Sequence, residues 1–378
     1  MYHVKTMNKI SKIGLAELDD RFEISDTMEH EDAILVRSAK LHDYDFPAEL
    51  KCIARAGAGV NNIPLDRAAD AGIVVFNAPG ANANGVKELT IAALLLASRK
   101  ISQGITWVKE QSAAGADVAA VVEKGKSAYV GPEIMGKTLG VVGLGAIGVL
   151  VANAAAALGM KIVGYDPFLS VTHALNLTPG VEVVDTLPEL YAKADYISLH
   201  LPMNADTKGM INAAAFAAKK DGVRIVNLAR GELVDTPALK AALDSGKCAA
   251  YVTDFPNSET AAMEGVVAIP HLGASTPESE DNCAMMAARE VKEYLDNGSI
   301  INSVNLPNLT MAWAAKTRVC VISKGADAAA IAGAVPAVAS ASNTRGEYAY
   351  TILDTDAAVD EAAIAAIPGV LRVRVLTR

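Results

Sequence analysis

Aromatic residues are scarce in this 378-residue sequence, and cysteine pairs, long apolar runs and a surplus of positive charge are missing. Phenylalanine, tryptophan and tyrosine make up 5% of the residues, whereas hydrophobic residues make up 51%. A large core is therefore possible, but it has to be built mainly from small aliphatic side chains. This apolar content excludes intrinsic disorder. A chain of this length is expected to form two or three domains.

The missing positive charge and the short apolar runs exclude two classes of partner. Lysine and arginine number 34 against 43 aspartates and glutamates, giving a formal net charge of -9. This balance disfavours nucleic acid as a partner. The most apolar stretch is residues 91–97, whereas a membrane-spanning helix needs about 20 residues. The first residues also lack the apolar core of a signal peptide. We therefore expect no nucleic acid, no membrane and a cytoplasmic location.

The cysteines indicate neither a disulfide framework nor a zinc site. Four are present, far apart and with no CxxC pair, namely Cys52, Cys248, Cys283 and Cys320. Scattered thiols are typical of a reducing compartment, where a cysteine most often serves as a small buried hydrophobe. We predict that all four are buried and that the protein has no metal site.

The order of predicted elements is that of an α/β protein. Short β-branched runs alternate with alanine-rich stretches between residues 33 and 76, and again between 139 and 269. The second series predicts a Rossmann-type, doubly wound parallel sheet. Between the two series we predict one long helix over 85–111 and an irregular surface segment over 112–136. Asp235 is predicted to be the N-cap of a helix over 236–244.

The C-terminal part of the sequence follows a different pattern. A long amphipathic stretch runs from Thr276 to Leu295, and a boundary is predicted between Pro307 and Ala315. Residues 316–378 then alternate in the order βαββαβ, which is that of a ferredoxin-like unit. We therefore expect a separate C-terminal domain.

A dinucleotide-binding motif opens the second α/β series. The segment Gly143-Leu-Gly-Ala-Ile-Gly148 follows an apolar strand and begins a helix, which is the context that this motif requires. Its glycines permit a tight turn and bring backbone N–H groups close to a pyrophosphate. Asp166 ends the next strand, where a carboxylate binds ribose hydroxyls and repels a 2′-phosphate. Because no arginine follows Asp166, the sequence predicts NAD rather than NADP.

Three polar segments end later strands of the same series, where ligands bind in such sheets. They contain Arg230, then Asp254 with Glu259, then His271. Arginine binds a carboxylate through its planar fork, and histidine transfers protons near neutral pH. A neighbouring carboxylate raises the pKa of such a histidine and orients its ring. Together these residues indicate hydride chemistry on a 2-hydroxy or 2-oxo acid.

At this point the sequence resembles the D-isomer-specific 2-hydroxyacid dehydrogenases, and among them the phosphoglycerate dehydrogenases. The resemblance covers nearly the whole chain, and its motifs are Arg55-Ala-Gly-Ala-Gly-Val-Asn-Asn-Ile63, Asn77-Ala-Pro-Gly-Ala-Asn82, Glu88-Leu-Thr90, Val142-Gly-Leu-Gly-Ala-Ile-Gly148, His200-Leu-Pro202, Asn227-Leu-Ala-Arg-Gly231, Val234-Asp235 and Pro270-His-Leu-Gly-Ala-Ser-Thr276. It implies a smaller, flavodoxin-like substrate lobe of residues 1–98 and 280–306, and an NAD-binding Rossmann lobe of residues 99–279. Substrate would lie in the cleft between the lobes, and members are usually homodimers or homotetramers joined through the nucleotide lobe.

The resemblance also implies a role for each matching residue. Arg230 would bind the substrate carboxylate, and His271 would be the acid/base with Glu259 as its partner. Cofactor contacts would come from Gly143, Gly145, Ala146, Ile147, Gly148, Asp166, His200, Pro202, Ala229 and Asp254. Further substrate contacts would come from Arg55, Ala58, Gly59 and Asn82, with Arg55 holding a phosphate.

Two segments depart from the family pattern. The family reads Asp-Val-Phe-x-x-Glu-Pro, whereas this chain reads Asp254-Phe-Pro-Asn-Ser-Glu-Thr260. Counting from Asp254 places Glu259 in register, but counting from the Phe-Pro pair places Ser258 there.

The βαββαβ tail over 316–378 resembles an ACT domain, the module that binds serine in many phosphoglycerate dehydrogenases. Its loop Ser323-Lys-Gly-Ala-Asp327 lacks the usual Asn and Pro, so serine binding and a purely oligomerising role stay as alternatives.

The resemblance and Arg55 together imply NAD-dependent oxidation of the phosphorylated hydroxy acid 3-phosphoglycerate to 3-phosphohydroxypyruvate, the first step of serine synthesis. One alternative is a reductase of glyoxylate, hydroxypyruvate or pyruvate. Another alternative, of a different class, is an NAD-sensing, corepressor-like binding protein on the same scaffold.

Overall fold

The computed structural model describes all residues from Met1 to Arg378. In chain order its strands are β1 (Tyr2–Met7), β2 (Phe22–Ser25), β3 (Ala33–Val36), β4 (Cys52–Arg55), β5 (Val74–Asn77), β6 (Thr138–Val142), β7 (Lys161–Tyr165), β8 (Glu182–Val183), β9 (Tyr196–Leu199), β10 (Val223–Asn227), β11 (Cys248–Thr253), β12 (Val266–Ala268), β13 (Thr317–Lys324), β14 (Ala339–Arg345), β15 (Tyr348–Thr355) and β16 (Val370–Thr377).

The helices are α1 (Lys12–Leu15), α2 (Leu65–Asp70), α3 (Ala83–Ser98), α4 (Ile101–Ala113), α5 (Val118–Gly125), α6 (Ala146–Ala157), α7 (Val171–Leu175), α8 (Leu187–Lys193), α9 (Ala213–Ala217), α10 (Thr236–Asp244), α11 (Pro277–Asn297), α12 (Ala328–Ala332) and α13 (Glu361–Ala365). Short 3-10 turns lie at Lys126–Tyr129, Gly231–Leu233 and Thr260–Ala262.

The chain divides into two compact units. The split unit contains residues 1–82 and 277–378, and the central unit contains residues 83–276. The resemblance implied lobe boundaries at 98/99 and 279/280 and a third domain over 316–378. The boundary lies before α3 because this helix packs on α6, β10 and β11 of the central unit. Residues 316–378 fall in the split unit because they share its core.

The split unit is built on a parallel sheet of five strands in the order β2-β1-β3-β4-β5. This is the flavodoxin-like strand order. All four residues of β3 are buried, as expected for a strand that is covered on both faces. The smaller α/β unit is therefore present as predicted.

The central unit contains a parallel sheet of seven strands in the order β12-β11-β10-β9-β6-β7-β8. The reversal of strand order beside β6 is the switch point of a Rossmann-type fold, which confirms the predicted doubly wound sheet. Helix α10 begins as predicted, since the Asp235 side chain accepts a hydrogen bond from the Ala238 N–H at 2.8 Å. The carboxyl ends of these strands therefore share one edge.

The last four strands form an antiparallel sheet in the order β14-β15-β13-β16, with the predicted element order βαββαβ. One face of this sheet joins the core of the split unit, where Cys320, Ile322 and Tyr350 pack with residues of β4 and α11. Arg374 donates hydrogen bonds to the carbonyls of Tyr294 and Leu295, at 3.0 and 2.8 Å. The same two carbonyls also accept from the Gly298 N–H and the Tyr2 hydroxyl, so Arg374 adds a direct link between this sheet and the end of α11.

The single helix predicted over 85–111 is wrong, because two helices occupy this region. The chain leaves helical geometry at Lys100, which has φ -72° and ψ 49°. There the backbone at Gly131 packs so tightly on the Ser98 carbonyl that an added Cβ would lie 2.0 Å from its oxygen. Neither glycine nor proline marks the break. The segment predicted as irregular over 112–136 contains α5 and a 3-10 turn.

All four cysteines are buried and unbridged, as predicted. Residues 1–378 contain no group of three histidine, cysteine or acidic side chains placed to hold a metal ion. None of the helices combines the length and the apolar character that crossing a membrane requires.

Candidate active site

The glycine motif forms the turn between β6 and α6 at the carboxyl edge of the central sheet. Gly143 adopts φ 94°, and a Cβ there would lie 2.5 Å from the carbonyl oxygen of His200. A Cβ on Gly148 would lie 1.9 Å from the Gly143 carbonyl oxygen. Any side chain at either position would therefore force the helix away from the turn, which is the physical reason for glycine at both.

The first turn of α6 leaves backbone donors free. The N–H groups of Ala146, Ile147 and Gly148 donate no hydrogen bond within the chain, and no side chain caps the helix. A Cβ on Gly145 would meet no atom within 4 Å, so the space in front of these groups is open. The positive end of a helix with free N–H groups and an open approach fits the pyrophosphate of a dinucleotide.

Asp166 is held beside this turn at the end of β7. Its Oδ2 accepts a hydrogen bond from the Leu144 N–H and its Oδ1 accepts one from the Phe168 N–H, both at 2.8 Å. Each carboxylate oxygen can accept a second bond, so the ribose hydroxyls of NAD keep a place to bind. Asp166 therefore lies beside the glycine turn with acceptor capacity left over, and its ribose-binding role stays a prediction.

His200 and Pro202 follow β9 at the same edge. The His200 imidazole lies 2.8 Å from the Ser198 hydroxyl, and burial lowers its pKa to about 4. The ring is therefore neutral at physiological pH and offers a flat, uncharged surface. Pro202 is exposed, and its carbonyl accepts a hydrogen bond from the Thr207 hydroxyl at 2.7 Å.

Asp254 is the buried acid of this edge. Its Oδ2 accepts a hydrogen bond from the Gly273 N–H at 3.1 Å, whereas its Oδ1 is buried without a partner. Burial raises the pKa of this carboxyl, against the lowering effect of the Gly273 bond and of the nearby His271. A buried acceptor without a donor fits an amide group such as the carboxamide of nicotinamide.

Asn227 organises the turn that carries Arg230. Its Oδ1 accepts hydrogen bonds from the N–H groups of Ala229 and Arg230, at 3.2 and 3.3 Å. Its Nδ2 donates to the carbonyl of Arg230 at 2.8 Å and to the hydroxyl of Tyr251 at 3.0 Å. Sequence reasoning gave Asn227 no role. The sequence did contain a signal for such a role, because Asn227 lies at a strand end three residues before Arg230.

Phe255 brings Arg230 and His271 together. The guanidinium of Arg230 lies 5.3 Å from the centre of the Phe255 ring, and the His271 ring lies 4.3 Å from it, centre to centre. His271 is exposed in the loop after β12, so its imidazole is open to solvent. Sequence reasoning used Phe255 only to count register and missed its contact with both residues.

Glu259 is not joined to His271. It is exposed, precedes the 3-10 turn Thr260–Ala262, and forms no ion pair with the histidine within 4.0 Å. Ser258, the alternative position, is exposed as well. Asp254, by contrast, lies close enough to His271 for the two side chains to interact electrostatically.

In the split unit, Arg55 lies at the carboxyl end of β4. Its Nε donates to the backbone carbonyl of Arg37 at 3.0 Å, which holds the Arg55 side chain beside the end of the neighbouring strand β3. Arg37 also pairs with Glu280 at 2.7 Å. Sequence reasoning missed Arg37. The available signal was its position directly after a buried strand, which is similar to the position of Arg55 at the end of one.

The loop after Arg55 presents free backbone donors. The N–H groups of Ala58 and Gly59 donate no hydrogen bond within the chain. The carbonyl of Ala58 is held by the side-chain Nδ2 of Asn77 at 2.6 Å. Asn82, the remaining predicted contact, is half-buried at the end of this part of the split unit.

A groove elsewhere in the central unit lies away from all of these residues. It has a volume of about 820 Å³, opens at the amino-terminal edge of the central sheet and is lined by residues such as Thr138, Asn153, Lys161 and Lys220. None of the predicted site residues lines it. Size alone therefore does not locate the site, whereas the free donors and acceptors at the carboxyl edge do.

Comparison with known proteins shows the family. Residues 91–273 match the D-isomer specific 2-hydroxyacid dehydrogenase, NAD binding domain. A D-3-phosphoglycerate dehydrogenase of Methanocaldococcus jannaschii is 35% identical over 315 residues, which are 81% of this chain and 58% of that protein. The chain belongs to the D-isomer specific 2-hydroxyacid dehydrogenases. Its central unit is an NAD-binding domain, in agreement with the free donors of α6 and the unpartnered oxygen of Asp254.

Solved structures of the family share the fold. An NAD+-bound 3-phosphoglycerate dehydrogenase of Entamoeba histolytica is 26% identical, with a TM-score of 0.61, over 82% of this chain and 99% of that one. A glyoxylate reductase from Paecilomyes thermophila is 27% identical, with a TM-score of 0.66, over 80% and 98%. The chain spans between 52% and 60% of the length of the curated relatives that it matches.

Proposed function

We propose that the protein oxidises 3-phosphoglycerate to 3-phosphohydroxypyruvate with NAD, the first step of serine synthesis. The observation that carries the proposal is the position of Arg55 at the carboxyl end of β4, directly before the loop with the free N–H groups of Ala58 and Gly59. A guanidinium group at this place suits the phosphate of a phosphorylated acid. The relatives named as phosphoglycerate dehydrogenases support the same substrate.

In the proposed mechanism Arg230 binds the substrate carboxylate, and the N–H groups of Ala58 and Gly59 add further hydrogen bonds to it. His271 accepts the proton of the substrate hydroxyl as the hydroxyl carbon is oxidised. NAD supplies the hydride acceptor when it is bound. Asp254 holds the carboxamide, and Asp166 with the first turn of α6 holds the ribose and pyrophosphate.

Substrate choice tests the proposal through Arg55. Arg55→Ala is expected to raise KM for 3-phosphoglycerate by about 10- to 100-fold, because a charge-assisted bond to phosphate contributes about 1.5–3 kcal/mol. KM for glycerate should change by less than about threefold. Both are measured by initial rates with NAD and with NADP, and NAD should be the better cofactor.

Arg21→Ala is the matched control, since Arg21 is an exposed arginine of the same unit that pairs with Asp19 and Asp296. It should leave both KM values unchanged. Equal effects of Arg55→Ala on both substrates would refute the phosphate role. Faster turnover of glycerate, glyoxylate or hydroxypyruvate by the unmodified protein would favour the reductase alternative, which the likeness to a glyoxylate reductase supports.

We also propose that the protein forms a homodimer through the central unit. Helices α4 and α5 and the turn Lys126–Tyr129 bury no residue within the chain. The same region exposes apolar side chains, among them Ile101, Ile105 and Val130. Because a soluble monomer rarely exposes such a surface, a second copy of the chain is the proposed cover. The resemblance to a family of dimers and tetramers supports this partner.

The C-terminal sheet resembles an ACT domain in its βαββαβ order, and its role is proposed to be structural. Lys324, the last residue of β13 and part of the segment where a serine site is expected, pairs with Asp70 at 2.7 Å and lies 3.4 Å from the Tyr348 hydroxyl. These contacts occupy the lysine with groups of the split unit. They favour a sheet that stabilises this unit over one that moves on binding serine.

Serine titration tests this role. We expect serine at about 10 mM to leave the initial rate of 3-phosphoglycerate oxidation unchanged. This concentration is well above the dissociation constant of a typical effector. Glycine at the same concentration serves as the control for amino-acid effects. Saturable inhibition by serine alone would instead assign an effector site to the C-terminal sheet.

A further inference from the structure

Helix α11 carries a buried acid that the proposed mechanism does not use. Glu290 is 6% exposed, and its Oε1 accepts a hydrogen bond from Asn302 Nδ2 at 2.7 Å. Its Oε2 is buried without a partner. Burial raises the pKa of this carboxyl to about 8 against the lowering effect of the Asn302 bond, so the group is mostly neutral at pH 7. Burying a carboxyl group with one unpartnered oxygen costs stability.

The partner of Glu290 is a strained residue. Asn302 adopts φ 58°, in the left-handed region that residues other than glycine rarely enter. Its side chain is fixed by Glu290, and its carbonyl accepts a hydrogen bond from the Asn77 N–H at 3.4 Å. The following residues run antiparallel to β5, with the Val304 N–H bonded to the Val75 carbonyl at 2.9 Å. Asn302 is therefore the point where the segment after α11 joins the end of β5.

The end of β5 in turn holds the substrate loop. The Asn77 side chain donates to the Ala58 carbonyl at 2.6 Å, and the Ala78 N–H donates to the Gly57 carbonyl at 3.0 Å. Because a trans peptide is planar, fixing the Ala58 carbonyl points the Gly59 N–H to the opposite side. That N–H is one of the two free donors assigned to the substrate carboxylate.

We propose that Glu290 is a positioning residue, which acts through Asn302 and Asn77 to orient the Ala58–Gly59 peptide for the carboxylate of the substrate. The inference rests on the proposed function for its substrate, but the chain of contacts lies wholly within the split unit. Glu290 touches no reacting atom, so it should affect binding of the acid and not the proton transfer at His271.

Two variants separate this role from general stability. Glu290→Met removes the acceptor and keeps the volume, and it is expected to raise KM for 3-phosphoglycerate by about 5- to 20-fold with kcat changed by less than about threefold. Glu290→Gln keeps a neutral carbonyl acceptor at the same place, and its KM at pH 7 should stay within about twofold of the unmodified protein. Rescue by glutamine is a result that a merely structural role of the acid does not require.

Asn302→Gly removes the same hydrogen bond between Glu290 and Asn302 by changing its donor. Glycine removes the side chain that binds Glu290 and also relieves the left-handed conformation, so the fold should be retained while KM rises as in Glu290→Met. Glu293→Gln is the matched control, because Glu293 is on the same helix but bonds only to Asn297, at 2.9 Å. It should leave KM unchanged.

Hydrogen exchange gives a readout that is independent of activity. In Glu290→Met and Asn302→Gly, the amides of Asn77 and Ala78, which donate to the carbonyls of Asn302 and Gly57, should exchange at least about tenfold faster than in the unmodified protein, and Glu290→Gln should not accelerate them. If both disruptive variants leave this exchange and KM unaltered, or if glutamine is as damaging as methionine, the proposal is wrong. If the unmodified protein is inactive on 3-phosphoglycerate, only the proposed function is refuted. The exchange rates would still show whether Glu290 acts through Asn302 and Asn77 on the Ala58–Gly59 peptide.

Discussion

His271→Ala is expected to lower kcat for 3-phosphoglycerate oxidation by about 10²- to 10⁴-fold, the range that general acid–base groups supply. His271 is an exposed imidazole beside the Phe255 ring and close to Asp254, so it can accept the hydroxyl proton and release it to solvent. KM for NAD should change by less than about threefold, because no proposed NAD contact is removed. Steady-state kinetics with both substrates varied gives all of these values.

The control is His173→Ala, which removes a histidine of helix α7 in the same unit. It should leave kcat unchanged. A loss below about tenfold in His271→Ala would contradict the assignment of the proton transfer to this residue. The pH dependence of kcat/KM then tests the acid that was assigned by register: Glu259→Gln should leave the profile unmoved, because Glu259 forms no ion pair with His271 within 4.0 Å.

The nucleotide site was predictable because its signals are local in sequence. Turn, helix and carboxylate lie between Gly143 and Asp166, and each depends on neighbours in the same stretch. The steric need for glycine at 148 arises from Gly143 itself. The helix cap at Asp235 was predictable for the same reason, since its hydrogen-bond partner is Ala238.

The contacts that sequence reasoning missed join residues from distant parts of the chain. Phe255 meets Arg230 and His271 only because their strands end at one edge of the folded sheet. Glu290 meets Asn302 across the end of a helix. No local pattern reports such pairs, because they depend on how whole elements pack. The acid at 259 was assigned from register alone, and register does not show which acid lies near the histidine.

The first two strands were missed for a different reason. Strand β1 buries only Val4, and β2, at the edge of the sheet, buries only Phe22. Each alternates apolar and polar residues over only four positions, Tyr2-His-Val-Lys5 and Phe22-Glu-Ile-Ser25, which is the shortest alternation that indicates a strand. Their place in the sheet is determined by pairing with β3 and with each other, which is again a property of the folded chain.

Arg318 and Asp354 form the most deeply buried ion pair of the split unit. Both side chains are fully buried, and two parallel hydrogen bonds of 2.7 and 2.9 Å join them. Arg318 also donates to the Asn297 carbonyl at the end of α11, at 2.8 Å. The pair therefore connects the C-terminal sheet to the helix that follows His271 in sequence.

Asp354→Asn is expected to lower the free energy of unfolding of the split unit by about 3–5 kcal/mol, because it leaves the Arg318 charge buried without a counter-ion. Trp313 reports this unfolding, since its ring lies 4.4 Å from the Arg318 guanidinium. Replacing the other tryptophan, Trp107, with phenylalanine makes the fluorescence specific to that ring. Urea unfolding followed in this background gives the free energy.

The exposed pair Lys324–Asp70 is the matched control, since it also joins the C-terminal sheet to the rest of the split unit. Asp70→Asn should cost less than about 1 kcal/mol, as is usual for exposed ion pairs. If Asp354→Asn unfolded only residues 316–378 while far-ultraviolet signal and activity from the remaining chain persisted, the sheet would be an independent domain. A single cooperative loss, with activity falling in step, is the result expected from a sheet that caps α11 and shares its core.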